Sequence, residues 1–376
     1  MGAGRKGARR RATAVAAGAC AALALALGGA ATGEDAPGAP AQSPLLGVVL
    51  QRSLDETDGR LLDEGGIRSV RFWLSWADVE RQRDDYDWGA ADAVVRELAA
   101  HGLTPFPFLF GSPEWVGGQD GYDCDPGCIR FGPSSPDTRE AFARFAAAAA
   151  RRYGPGGTYW REHPAVREQP IRAWQIWNEP NLSSFWGPYP NAHIYGELVK
   201  AAAARIRAED PDAEIVLGGL TGDRTNSRRQ STIGFLRDLY EVPEIATAFE
   251  GVALHPYNRK PSGVFSMIKR ARAVVGARDP DFDLWISEIG WASRGNERKW
   301  SLVTSPGGQA RRLKRVFTRL GRRAADWRLR GAYWFAWRDT ERGQAVCGWC
   351  GAAGLIGRDG VGKPAYEELR RLAQLP

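Results

Sequence analysis

Residues 45–376 are predicted to fold as one α/β domain, a closed parallel (β/α)8 barrel, and three observations carry that expectation. Eight short runs rich in β-branched, aromatic and leucine side chains alternate with longer segments of helical periodicity, as strand–helix crossovers require. No fixed-period repeat and no Pro- or Gly-rich break divides the run, so one domain is the simplest account, within the size range of such barrels. Finally, two of the eight runs end in a glutamate flanked by tryptophan, Glu179 and Glu288, and barrel enzymes gather their chemistry at the C-terminal ends of the strands.

In chain order the strands are expected at 46–50, 67–74, 103–110, 171–178, 214–220, 249–255, 283–288 and 331–337. Each is a short apolar run bounded by turn formers, the pattern of a strand buried on both faces. Helical periodicity is clearest at 88–101, 137–152, 191–209, 263–278 and 306–327, and 363–374 supplies the closing helix. The stretch 154–169 before the fourth strand carries no readable periodicity.

The segment ahead of the barrel reads differently. Arg5, Lys6, Arg9, Arg10 and Arg11 precede an apolar run, Ala12 to Ala31, that ends in small residues. A basic start, an apolar centre and a small-residue end mark a signal peptide, here 1–33, followed by a Pro/Ala-rich linker at 34–44. The rival readings are an uncleaved anchor, since some 20 apolar residues can span a bilayer, and lipid attachment at Cys20, whose flanking residues fit poorly. Export to the cell exterior is the expected localisation, and membrane contact is expected only through this segment. The formal net charge of +7 is largely a property of the leader: from Glu34 onward 46 basic residues face 44 acidic ones. No basic face for nucleic acid is indicated.

Apart from Cys20, the cysteines fall in two close pairs, Cys124 with Cys128 and Cys347 with Cys350. In an exported chain an even number implies disulfides, and two local bridges are expected. A four-cysteine zinc site would require the pairs to converge. A redox role for Cys347 and Cys350 would require a thioredoxin-like context, whereas they sit in a Gly-rich loop.

At the predicted strand ends the residues are polar, aromatic and acidic: Trp73 and Trp76, Trp115, Asn178 and Glu179, His255 and Tyr257, Glu288 and Trp291, then Trp337 to Asp339. The ring offers no phosphate-cradling glycine loop with a lysine and no nucleophilic serine elbow. With four histidines in the chain, a histidine-rich metal site is nearly excluded, and neither a metal nor a cofactor is called for. A carboxylate at the end of a buried strand is costly unless solvated or used. Two of them, in equivalent positions, supply the pair that glycoside hydrolysis needs. The chain's 15 Trp suit stacking on sugar rings, although any one of them can equally fill the core.

These residues resemble the retaining glycoside hydrolases of clan A. The Asn178-Glu179-Pro180 triplet after the fourth strand is similar to that clan's acid/base motif, and Ser287-Glu288 with Trp291 to its nucleophile strand. Arg71, His255, Tyr257 and Trp337 match in the right order, and 112–115 and 177–181 lean toward family 39-like and family 5-like members. The resemblance implies that Glu179 is the acid/base and Glu288 the nucleophile. It implies that Arg71 and Tyr257 support Glu288, that Asn178 binds the 2-hydroxyl, and that Trp337 forms the floor under the sugar being cleaved. His255, Trp291 and Trp115 complete the expected substrate contacts, and Trp174 and Trp177 are expected to desolvate Glu179. It further implies a monomer acting on a poly- or oligosaccharide. The chain departs from the clan in the Cys124–Cys128 loop and in lacking a separate carbohydrate-binding module. A non-catalytic glycan-binding barrel is the alternative; both carboxylates being present argues against it.

Overall fold

The computed structural model describes residues 45–51, 53–124, 127–341 and 347–374; the predicted leader and linker, 1–44, lie outside them. The strands are β1 (Leu45–Val49), β2 (Ser69–Ser75), β3 (Thr104–Phe110), β4 (Ala173–Ile176), β5 (Glu214–Leu217), β6 (Leu220–Thr221), β7 (Gly251–His255), β8 (Asp283–Ile289) and β9 (Leu329–Trp334). All pair in parallel, and contacts β1–β9 and β5–β7 close the sheet. β5 and β6 are two halves of one stave, so the barrel has the eight staves expected. The stave breaks because Gly218 and Gly219 yield to their neighbours: a Cβ on Gly219 would lie 2.0 Å from His255 Nε2, and one on Gly218 2.9 Å from Pro180.

The helices are α1 (Glu56–Glu64), α2 (Trp76–Val79), α3 (Gly89–Ala100), α4 (Glu114–Asp120), α5 (Pro136–Tyr153), α6 (Thr158–Glu162), α7 (Ala192–Glu209), α8 (Thr232–Leu239), α9 (Pro261–Val275), α10 (Pro306–Arg322) and α11 (Pro364–Ala373). Their starts follow ordinary capping chemistry. Ser135 and Ser305 accept from the third backbone N–H of α5 and α10, each with proline at the first helical position. The unreadable stretch before β4 holds α6, which buries Tyr159 and Trp160 against the core.

Period-two alternation along the strands divides two apolar layers. Between sheet and helices lies the main core, which takes Trp174, Trp177, Trp291, Trp334 and Trp337. Inside the barrel sits a smaller plug of Val49, Phe106, Val216, Ala253, Trp285 and Tyr333. Phe106 stacks on Trp285 at 4.4 Å, and Tyr333 enters over Gly47, where a Cβ would meet its ring at 2.3 Å. This plug fills the barrel below the functional residues and separates its C-terminal end from a smaller hollow at the N-terminal end, lined by Phe106, Trp285 and Tyr333. Both cysteine pairs are bonded, Cys124 to Cys128 and Cys347 to Cys350, in loops at that end. No helix among the described residues is long and apolar enough to cross a membrane.

Candidate active site

Arg71 is the hub of the site. It points inward from β2, is fully buried, and donates to three partners on two other staves: Nη1 to Glu288 Oε1 at 2.6 Å, Nε to Gln175 Oε1 at 2.7 Å, and Nη2 to Asn178 Oδ1 at 2.8 Å. A guanidinium can only donate, so it fixes the amide orientation of both partners. The Asn178 NH2 is left facing the cleft. Gln175 turns its NH2 toward Leu217 O at 3.0 Å and Ser287 Oγ at 3.3 Å.

A donor chain compatible with one tautomer reaches the histidine. Ser287 Oγ accepts from Gln175 and has its own proton to give His255 Nε2 at 3.0 Å, the arrangement in which the ring proton lies on Nδ1, 2.8 Å from Glu179 Oε1. Burial, aided by the charge on Arg71, holds the His255 pKa well below its ordinary value, so the ring is neutral. Tyr257 OH donates to Glu288 Oε2 at 2.8 Å, and burial together with that carboxylate keeps the phenol protonated.

The two glutamates are about equally buried and unequally supported. Burial raises both carboxyls. For Glu288 the opposing charge of Arg71 and the Tyr257 hydrogen bond pull back toward the ionised form. Among the described residues Glu179 has no bonded cation, and the charge of Glu288 raises it further, well above the carboxylate range. The two environments therefore favour a proton on Glu179 over one on Glu288. One ligand atom each from Glu179, Glu288 and His255 lie within 4.8 Å of one another. Among the described residues these three alone come close enough to hold a cation. The Arg71 and Tyr257 donors already occupy both Glu288 oxygens, which argues against that use. The backbone at Trp177 (φ 70°) and Glu179 (φ 43°) is left-handed, a local expense of about 1–3 kcal/mol each that functional sites tolerate.

The structure therefore brings Arg71, Asn178, Glu179, His255, Tyr257 and Glu288 together. It does not bring the expected tryptophans. Trp337 is buried, donates to Asp58 Oδ1 at 2.7 Å and packs edge-on to Tyr366, facing α1 and α11. Trp291 is fully buried beside Trp334 and donates to Asn258 O at 2.8 Å. Trp115 packs edge-on to Trp76 and donates to Glu80 O at 3.0 Å. Trp174 and Trp177 lie in the outer layer, so the shielding of Glu179 comes from its depth at the barrel end. β9 ends at Trp334, three residues short of the expected 337, and the chain turns outward before Trp337, while Trp291 lies two residues past Ile289, the end of β8.

Phe335 takes the inward position instead. It is half-buried, packs on the barrel plug, and lies 5.6 Å from Trp349 and 6.3 Å from Tyr257, while Trp349 lies 5.2 Å from Tyr257. Trp73, 39% exposed at the end of β2, is a second available ring. Gln175 went unread in the sequence and Ser287 was read only as part of the nucleophile-strand motif, although a polar residue at an inward position of a buried strand was the available signal. These positions carry opposite expectations. Trp337→Ala should lower stability by about 3–5 kcal/mol with little change in the kinetics of the folded fraction. Phe335→Ala should lower kcat/KM about tenfold with a smaller loss of stability, because stacking is worth about 1 kcal/mol beyond area burial. Urea denaturation alongside steady-state kinetics separates the two, and the reverse pattern would return the platform role to Trp337.

The architecture has many relatives among solved structures. A monomeric beta-xylosidase from Caulobacter crescentus CB15 superposes with a TM-score of 0.64 at 20% identity, covering 89% of this chain and 68% of that one. A GH39 enzyme from Xanthomonas axonopodis pv. citri gives 0.60 at 19%, covering 88% and 66%. A thermostable mutant xylanase from Cellvibrio japonicus gives 0.58 at 13%, covering 89% and 99%. The fold is that of the clan A glycoside hydrolases. The chain spans about two thirds of the length of the first two. Comparison with protein-family models and with curated proteins finds no match. Within this barrel, Glu179 follows the fourth stave and Glu288 lies on the seventh.

Proposed function

We propose that the chain is an exported, monomeric, retaining β-glycoside hydrolase that cleaves a poly- or oligosaccharide by double displacement. The observation that carries this reading is the short separation of Glu179 and Glu288, within 4.8 Å at their paired ligand atoms. Retention calls for carboxyls about 5–5.5 Å apart, whereas inversion needs about 6.5–9.5 Å to admit a water. Arg71 and Tyr257 on Glu288, and neutral His255 on Glu179, support the division of roles.

In the first step Glu288 attacks the anomeric carbon while Glu179 gives its proton to the departing glycosidic oxygen. A glycosyl–Glu288 ester and a free alcohol result. Among the described residues Glu179 Oε2 has no hydrogen-bond partner, so it is free to carry the proton, while Oε1 is steadied by His255 Nδ1–H. Tyr257 OH and Arg71 stabilise the carboxylate as charge leaves and returns. In the second step Glu179, now ionised, takes a proton from water, which attacks the ester and frees Glu288. The Asn178 NH2 is aimed where the 2-hydroxyl of the reacting sugar would sit. The xylosidase and xylanase names of the similar structures support a glycan substrate. The basic and apolar N-terminus and the two disulfides support export. On this reading 1–33 is the leader, 34–44 a linker and 45–376 the catalytic domain.

The test is the anomeric form of the first product. β-Glucans, mannans, xylans and microbial exopolysaccharides are offered to the purified protein and the reaction is followed by proton NMR. The β-anomer should appear first and then mutarotate. An α-anomer appearing first would rule out double displacement. Binding without turnover across the panel would favour a non-catalytic glycan-binding barrel.

A further inference from the structure

The loops after β3, β4 and β6 enclose an open hollow of about 610 Å³ lined by Arg130, Ser183, Ser184, Asn226, Arg228 and Arg229. Main-chain hydrogen bonds stitch these loops into one wall. Leu182 N donates to Glu179 O at 2.9 Å, Ser183 N to Arg228 O at 2.9 Å, Gln230 N to Asn181 O at 3.0 Å, and Gly187 N to Arg130 O at 2.8 Å. The hollow therefore begins at Leu182, three residues beyond Glu179, the residue proposed to protonate a departing group. Nucleophile Glu288 lies instead against Tyr257, near Phe335 and Trp349.

Charge on the loops after β6, β7 and β8 is one-sided, whereas the segment after β3 that carries Arg130 also holds Glu114, Asp120 and Asp123. The loops 222–231, 256–260 and 290–305 hold eight arginines and lysines against two acids, Asp223 and Glu297. Asp223 is engaged by Arg270 from α9 at 3.2 Å. Arg130 stacks over Phe131 at 4.4 Å, and among the described residues Arg130, Arg228 and Arg229 make no ion pair. By contrast, the loop 80–88 after α2 has four acids and two arginines. A near-neutral domain has thus gathered exposed guanidinium groups with serine and asparagine donors beside its proton donor.

We infer that the leaving-group side of the cleft binds an anionic glycan, one whose sugars carry carboxylate or sulfate groups. This rests on the hydrolase reading above. Guanidinium is the side chain best matched to such oxyanions, which it holds with two parallel hydrogen bonds. The eight-to-two excess of positive charge would also draw a polyanion to the cleft from solution.

The experiment measures binding to the full-length Glu179→Gln protein, which holds substrate without turning it over. Probes are β-1,4-linked gluco-, manno- and xylo-oligosaccharides, compared with C6-oxidised gluco- and manno-forms and with sulfated forms of all three. At least one anionic form should bind about tenfold more tightly than its neutral parent, as charge-assisted hydrogen bonds allow. That advantage should shrink as NaCl is raised from about 50 to about 300 mM. It should vanish when Arg228→Ala and Arg229→Ala are added, and survive when Arg315→Ala and Arg322→Ala, on exposed positions of α10, are added instead. Whether oxidised or sulfated forms show the gain tells which oxyanion the hollow takes. Equal binding of neutral and anionic forms, or equal loss in both pairs of variants, would overturn the inference. Wild-type hydrolysis of neutral aryl β-glycosides without an anionic preference would sink this inference alone. Arginine-dependent binding of an anionic glycan without any turnover by the wild type would sink the hydrolase reading alone.

Discussion

Glu288→Ala should lose at least about four orders of magnitude in turnover, a loss of the size seen when a covalent nucleophile is removed. Glu179→Ala should behave differently on different leaving groups. For natural glycosides the loss should be about 10²–10⁴-fold, the usual worth of general acid–base catalysis. For activated aryl glycosides the first step needs no proton, so the glycosyl-enzyme should still form and then accumulate. Azide distinguishes the two cavities. In Glu179→Ala it should attack the glycosyl–Glu288 ester from the acid/base side and give a β-glycosyl azide. In Glu288→Ala it should occupy the nucleophile's space, attack the substrate directly and give the α-azide. Opposite products would exchange the two roles, and full activity in both variants on a confirmed substrate would end the hydrolase reading.

Arg71→Met should be nearly as damaging, by a different route. The guanidinium is the one cation bonded to Glu288, at 2.6 Å and fully buried. Its removal leaves an uncompensated carboxylate in the barrel, which costs about 3–5 kcal/mol of stability. The loss has a sign in pH. Burial already raises Glu288 and Arg71 restrains it, so without Arg71 the carboxyl should titrate higher still. The acid limb of kcat/KM should move to higher pH, because the nucleophile must be ionised to react. Stability should suffer least at low pH, where Glu288 is protonated in both proteins, and most above its new folded pKa. Turnover at its best pH should still fall about 10²-fold or more, as for other lost charge-stabilising donors. Combining Arg71→Met with Glu288→Gln should recover part of the lost stability. If the double variant were no more stable than Arg71→Met alone, the charge argument would fail and Arg71 would be a packing residue.

The sequence made the polar heart of the site readable because each of its members lies at, or within three residues of, the end of an apolar run. Arg71 sits inside such a run, where an unpaired cation would be untenable. Glu179 and Glu288 follow runs that can only be strands. What it hid was where each strand stops. Parity along the eighth stave correctly gives Tyr333, Phe335 and Trp337 one face while the chain stays extended. The chain leaves the sheet after Trp334, however, and the last of the three is carried outward to Asp58. Trp291 differs: β8 runs one residue past its expected end, and the loop after it packs that ring on Trp334. The Gly218–Gly219 break in the fifth stave has a related cause, since Gly219 makes way for His255, 36 residues on, and Gly218 for Pro180, neither visible to any local pattern. Strand existence is a local property of hydrophobic spacing, whereas strand endings depend on distant neighbours.

The three bonds of Arg71 reach across 104, 107 and 217 positions of the chain. No contiguous half of the polypeptide contains them all, and the pair β1–β9 that shuts the ring joins its two ends. A molecule emerging unfolded from an export channel would therefore be chemically silent until its last stave docked. Appearance of activity during refolding should coincide with formation of the β1–β9 seam and trail helix formation. A hydrolase arranged in this way carries its own timing: it cannot act on glycans inside the compartment that makes it unless it has already completed its ring there.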